Sequence, residues 1–158
     1  MLEVVIFVLE KREIMRREDL TTGNALCEAV GIVCILIYIG LQVYCGLLYG
    51  AGAVAILLNV IMVALVYAGL TLLAFYPERV NGLDAQICTG KVRKLTIHMV
   101  LYMKLIFVMS LLFTSICDVM GKQVDGAYSL ITAGLMIVIA VLYEIKIFQL
   151  LKNNQKKK

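Results

Sequence analysis

The sequence is poor in charged residues and contains long stretches with none. Charged residues make up 16% of the chain and hydrophobic residues 62%, whereas an average soluble domain has about 25% charged residues. From Ala29 to Pro77 there is no Asp, Glu, Lys or Arg. A soluble fold of this length cannot bury so much apolar surface. These shortages therefore exclude a soluble domain and predict a membrane protein.

Other residue types are too scarce to build metal sites or disulfide frameworks. A single histidine, His98, cannot form a zinc site alone, and the five cysteines contain no CxxC spacing. We therefore predict no metal site and no cofactor. Tryptophan is absent, so the aromatic residues expected at the membrane interfaces are tyrosine and phenylalanine.

The chain does contain four apolar runs that are each long enough to cross a bilayer. One span needs about 20 residues, so the uncharged stretch holds two, near residues 25–48 and 53–75, joined by a short turn. Two further runs lie near 95–117 and 128–150. The sequence predicts an all-α integral membrane protein, a four-helix transmembrane bundle of two antiparallel hairpins.

Polar segments flank this predicted transmembrane domain, which covers residues 25–150. Residues 1–24 are apolar at first and charged later, which predicts an N-terminal amphipathic helix at the cytoplasmic interface. Residues 151–158 form a basic cytoplasmic tail. Its final lysines are expected to contact anionic lipid headgroups at the cytoplasmic face of the bilayer. These are Lys156, Lys157 and Lys158.

The distribution of basic residues predicts how the chain is oriented. They cluster before the first span, between the second and third spans, and after the fourth, whereas the two other loops contain only Lys122. By the positive-inside rule, both termini are predicted to be cytoplasmic. Short loops and the lack of a targeting signal favour the bacterial inner (plasma) membrane. Because topology accounts for the basic residues and no binding motif accompanies them, nucleic acid is not an expected partner.

Small residues recur at helical spacing in the spans and predict helix-packing faces, because small side chains let helix backbones approach closely in lipid. In the first span the predicted face contains Cys27, Gly31, Cys34, Tyr38 and Cys45. In the second and fourth spans the faces contain Gly52, Ala55, Gly69, Ala133 and Ala140. Two uses remain open for these faces: packing within one chain and association between chains.

Lys104 is the most informative single residue, because it lies near the middle of the third apolar run. A charged side chain at the centre of a bilayer costs at least about 2.5 kcal/mol on insertion scales, so this lysine needs a partner, a wet cavity or a way to snorkel. Depth counted along the helices makes Glu144 the first expected partner and Glu28 the second. Such a charge pair either fixes the helix arrangement or marks a transport path.

Three neutral polar residues, His98, Asn59 and Gln42, also lie within the predicted spans. Hydrogen bonding between helices is the simpler interpretation of these residues, and a relay or pore lining is the alternative. Cys88 and His98, with Asp84 to orient the histidine, come nearest to a hydrolase site. No motif fixes their geometry, so we predict no catalytic residues and no enzyme.

These features together predict a small multi-pass membrane protein. We expect a non-catalytic subunit or scaffold that assembles through its small-residue helix faces, with itself as a homo-oligomer or with a larger membrane complex. The alternative is a minimal oligomeric transporter or ion channel that uses the intramembrane residues Lys104 and Glu144. Replacing Lys104 by methionine separates the two interpretations: loss of flux with assembly intact favours transport, and loss of assembly favours the structural role.

Overall fold

A computed structural model describes residues 21–50, 52–82, 87–88, 90–122 and 124–155. The regular elements in these ranges are helices: α1 (Thr22–Tyr49), α2 (Ala53–Phe75), the one-turn α3 (Pro77–Val80), α4 (Gly90–Val119) and α5 (Ala127–Gln155). Within these ranges α1, α2, α4 and α5 are long and apolar enough to span a membrane. The prediction of an all-helical fold with four candidate spans is confirmed. Residues 1–20 of the predicted N-terminal helix and the tail lysines 156–158 lie outside the described residues.

Local signals set where the first helix begins and ends. The Thr21 hydroxyl accepts a hydrogen bond from the backbone N–H of Asn24 at 3.3 Å, so α1 begins at Thr22 instead of near residue 25. Gly50 ends the helix with φ 67, in the left-handed region that glycine adopts without strain. The α1 helix therefore has 28 residues, more than the roughly 20 that a bilayer requires.

The α4 helix is central, since it packs against α1, α2 and α5, whereas α5 packs mainly on α4. Three side-chain contacts join α1 to α4: Glu28 with Lys104, Cys34 with Met109, and Gln42 with Ser115. The partners advance in the same order along both helices, so α1 and α4 run parallel.

The α5 helix is attached to α4 by aromatic and hydroxyl contacts. Tyr102 and Tyr143 have ring centroids 6.2 Å apart, Phe113 and Tyr128 have centroids 5.1 Å apart, and the Ser110 and Thr132 hydroxyls are 3.1 Å apart. Among the α5 side chains that the structure describes, Ile147 alone is fully buried. This helix therefore lies at the periphery of the bundle.

Buried side chains line α4, and the outside of the molecule is apolar. The α4 core includes Val92, Ile97, Met99, Val100, Leu101 and Val108. By contrast, Leu47 is 83% exposed and Leu130 is 75% exposed. Apolar patches of this extent are rare on soluble monomers and are typical of surfaces that contact lipid or another protein. The exterior of the four long helices therefore suggests a membrane protein.

Candidate functional site: an ion pair that joins three helices

Lys104 lies on the face of α4 that points into the bundle. Its side chain is only 2% exposed, and Val100 and Val108, one turn to either side, are also buried. A lysine ammonium in this position has lost its water and needs polar partners to offset the cost. The polar partners of Lys104 therefore define the candidate site.

Glu28 of α1 supplies the opposite charge. Its Oε1 atom forms a salt bridge with Lys104 Nζ, and its Oε2 atom accepts a hydrogen bond from the Tyr67 hydroxyl at 3.0 Å. Lys104 Nζ also donates to Thr71 Oγ1 at 3.1 Å and lies 4.4 Å from the centroid of the Tyr67 ring. We refer to Glu28, Tyr67, Thr71 and Lys104 as the polar cluster.

The α2 helix contributes its two members of the polar cluster from one face. Tyr67 and Thr71 are four residues apart, so their side chains are neighbours on the helix surface. The Thr71 hydroxyl donates to the Tyr67 carbonyl oxygen at 2.8 Å, which leaves its oxygen free to accept from Lys104. Both residues were absent from the sequence-based site. Their four-residue spacing, in a helix that is apolar apart from these two residues and Asn59, was the available signal.

Gly31, which has no side chain, leaves space for the Tyr67 ring. A Cβ atom at Gly31 would lie 3.1 Å from the Tyr67 hydroxyl oxygen, a distance at which the ring would have to shift. Gly31 also lies three residues after Glu28 on the same face of α1. The close approach of α1 to α2 at this glycine therefore positions the tyrosine that binds Glu28.

Glu144, the first expected partner of Lys104, is not part of the polar cluster. It is half-buried on α5 and makes no hydrogen bond or salt bridge with any other residue that the structure describes. Glu28, the second choice, takes its place. Counting residues estimates the depth of a side chain but not its direction around the helix, and α5 presents Tyr143 and Ile147 to the bundle instead.

The other polar residues predicted to lie within the spans occupy three separate positions in the structure. Gln42 Nε2 donates to the Ser115 hydroxyl at 3.0 Å, which joins α1 to α4 well away from the polar cluster. His98 is half-buried and lines a groove beside the start of α1. Asn59 is exposed on α2 and makes no hydrogen bond with any described residue. The structure does not bring these three residues together.

The predicted packing faces fall into an inner and an outer group. On α1, Gly31, Cys34 and Tyr38 are buried, while Cys27 and Cys45 near its ends are half-buried. The small residues of α2, which we call the α2 row, are all exposed; they are Gly52, Ala55 and Gly69. On α5, Ala133 is exposed and Ala140 is half-buried. The α2 row thus lies outside the single chain, because Tyr67 and Thr71 turn the opposite face of this helix inward.

No group of three or more His, Cys, Asp or Glu side chains that could hold a metal ion occurs in the described part of the chain. Cys88 is buried, at 3% exposure, before the start of α4, and Asp84 lies outside the described residues. The polar cluster itself contains one cation and one anion that neutralise each other. The polar cluster joins α1, α2 and α4 through this ion pair and its hydrogen bonds.

Comparisons with known protein families, curated proteins and solved structures find no match for this chain.

Proposed function

We propose that this chain is a non-catalytic, four-span subunit or scaffold of a membrane assembly. In this proposal the spans form two antiparallel hairpins with both termini in the cytoplasm, which the positive-inside rule favours. The order of contacts between α4 and α5 supports the pairing, because the partner of Tyr102 is Tyr143 and the partner of Phe113 is Tyr128. One partner advances along the chain as the other recedes.

The exposed amide of Asn59 carries the proposal that the chain assembles. Asn59 lies within a helix whose other exposed side chains are apolar or small, and its amide makes no hydrogen bond in the described part of the chain. An unpaired amide is costly in hydrocarbon, and interhelical hydrogen bonds are the usual remedy in membranes. Ala55 lies one turn before Asn59 on the same exposed face, and its small side chain permits close approach of another helix.

The polar cluster supports a scaffold more than a conduit. Lys104 is enclosed by Glu28, Thr71 and the Tyr67 ring, and it is almost completely shielded. A residue that receives a moving ion or proton must exchange partners with it. The polar cluster instead fixes the rotation of α1, α2 and α4 about their own axes. The outer face of α2 is then available to another chain.

Replacing Asn59 by leucine is expected to weaken the assembly about fivefold, because a hydrogen bond between membrane helices contributes about 1 kcal/mol. Native mass spectrometry in a mild detergent, across a range of protein concentrations, measures the fraction of oligomer or complex. Gln42→Leu is the matched control. It removes an amide that is bonded inside the chain, and it should leave the assembled fraction unchanged.

Two results of that experiment would redirect the proposal. A different protein retained in fixed ratio would make the chain an accessory subunit of a larger complex. If Asn59→Leu and the bulky Ala55→Leu both assemble like the wild type, the outer face of α2 is not the interface and the proposal fails.

A minimal transporter or channel is the second candidate, and the carboxylate of Glu144 favours it. This side chain lies within a candidate span with no bonded partner among the described residues, and intramembrane carboxylates often belong to ion pathways. Under this candidate, Glu144→Gln abolishes proton or cation flux in proteoliposomes and leaves the mass of the assembly unchanged. Asp118→Asn, at the end of α4, is the control that keeps wild-type flux. Wild-type flux no higher than that of protein-free vesicles would eliminate the candidate.

A further inference from the structure

A groove of about 250 Å³ lies between the beginning of α1 and the middle of α4. Its lining comprises Thr21, Gly23, Asn24, Cys27, His98, Leu101 and Tyr102. Because α1 and α4 run parallel, the residues of each helix follow the groove in the same direction. The polar residues Asn24 and His98 therefore come first, and Cys27, Leu101 and Tyr102 lie farther into the span.

The entrance of this groove is basic. Lys91 and Lys94 are exposed in the first turns of α4, and steps of three and four residues place them on the same helix face as His98. Neither lysine forms a salt bridge within the described ranges. The first turns of α1 and α4 contain no acidic residue, and the nearby Glu28 is already bonded to Lys104 and Tyr67. Within the described ranges, the positive charge at the entrance is thus left unbalanced.

We propose that this groove binds one anionic phospholipid. Its phosphate lies against Lys94 and His98, and its acyl chain extends along Leu101 and Tyr102. The ammonium and the imidazole N–H donate to phosphate oxygens, and the Thr21 hydroxyl, whose oxygen accepts from Asn24, retains its own proton to donate. The site rests on the membrane insertion proposed above but requires no particular oligomer.

Native mass spectrometry of the full chain, titrated with phosphatidylglycerol or with phosphatidylcholine of the same acyl chains, tests the site. The wild type is expected to retain one phosphatidylglycerol in preference to phosphatidylcholine. Lys94→Gln should weaken this retention about fivefold, since a basic residue at a membrane surface contributes about 1 kcal/mol toward anionic lipid. His98→Gln should also weaken it, whereas Lys122→Gln, which removes one charge beyond the other end of α4, should not.

Cys27 provides an independent readout, because its side chain lines the groove. In nanodiscs, its alkylation by N-ethylmaleimide should be slower with phosphatidylglycerol than with phosphatidylcholine. Cys45, which is also half-buried but lies near the far end of α1, should react at the same rate in both lipids. Peptide mapping by mass spectrometry separates the two thiols.

Three outcomes would overturn the lipid site. The first is equal retention of both lipids. The second is displacement of phosphatidylglycerol by inorganic phosphate, which would indicate a site for free phosphate. The third is equal protection of Cys27 in both lipids, which would indicate that residues 1–20 or a second copy covers the groove. The spectrum reports the mass of the assembly separately from lipid adducts, so loss of lipid preference with the assembly intact refutes this site alone.

Discussion

Replacing Glu28 by leucine is expected to lower the free energy of unfolding by about 3–5 kcal/mol, the usual cost of removing one partner from a buried ion pair. The substitution leaves the ammonium of Lys104, whose side chain is 2% exposed, with Thr71 and the Tyr67 ring as its remaining partners. Lys104→Met should cost less, because Glu28 keeps its hydrogen bond from Tyr67. Unfolding in mixed micelles with increasing dodecyl sulfate, followed by circular dichroism, measures both.

Two further variants test the assigned pairing. Glu144→Leu makes the same change at the carboxylate that the structure leaves outside the polar cluster, so its effect should stay within about 0.5 kcal/mol. The double variant Glu28→Leu with Lys104→Leu should recover most of the stability, because a buried ion pair can be replaced by apolar side chains at little cost. A larger loss from Glu144→Leu than from Glu28→Leu would contradict the pairing.

Replacing Gly31 by alanine is expected to destabilise the protein by about 1–3 kcal/mol, the range for adding a carbon to a packed interior. The new Cβ would lie 3.1 Å from the Tyr67 hydroxyl oxygen. That ring cannot move aside without disturbing its hydrogen bond to Glu28 and its contact with Lys104. The same unfolding measurement applies.

The matched control for this glycine is Gly40 on the same helix. A Cβ at Gly40 would meet no atom within 4 Å, and alanine favours a helix over glycine by about 1 kcal/mol. Gly40→Ala should therefore be neutral or stabilising. Tyr67→Phe removes the atom that Gly31→Ala approaches most closely, so adding it to Gly31→Ala should restore part of the loss. If Gly31→Ala is as harmless as Gly40→Ala, the close contact does not constrain Tyr67.

The existence of the four long helices was predictable, because an apolar run of sufficient length needs no knowledge of its neighbours. The position of Lys104 within a long apolar helix followed in the same way, since no choice of helix ends could place it outside the third apolar run. Apolar residues alone do not mark where the α1 helix begins, because the helix extends beyond the apolar run that predicts the span. The capping hydroxyl of Thr21 was a local signal for the true start.

The rotation of each helix about its axis was harder to predict. On α1 the inward face is marked by Gly31, Cys34 and Tyr38. Continuing that face three residues back reaches Glu28, so the correct partner of Lys104 could have been found. Depth counted along the helices favoured Glu144. Depth describes where a residue lies along its own helix, whereas pairing also requires the two side chains to face each other.

On α2 the small residues gave a misleading indication of the inward face. Gly52, Ala55 and Gly69 are exposed, while the large residues Val63 and Tyr67 point toward the bundle. Hydrogen bonds to an ion pair on two other helices determine this rotation, and their one trace within α2 is the four-residue spacing of Tyr67 and Thr71. Whether the small-residue row packs against another chain stays a prediction.

The polar cluster also has a consequence for how the protein is made. Glu28 and Lys104 are 76 residues apart in the chain, whereas Glu28 and Tyr67 are 39 apart. At a synthesis rate of about 5–20 residues per second, Lys104 follows Glu28 by roughly 4–15 s. Tyr67 follows Glu28 after about half of that interval, so α1 and α2 can associate through the Tyr67 hydroxyl, without the ammonium, during the other half. The ion pair can form only when α4 arrives, after the contact between Glu28 and Tyr67 has become available.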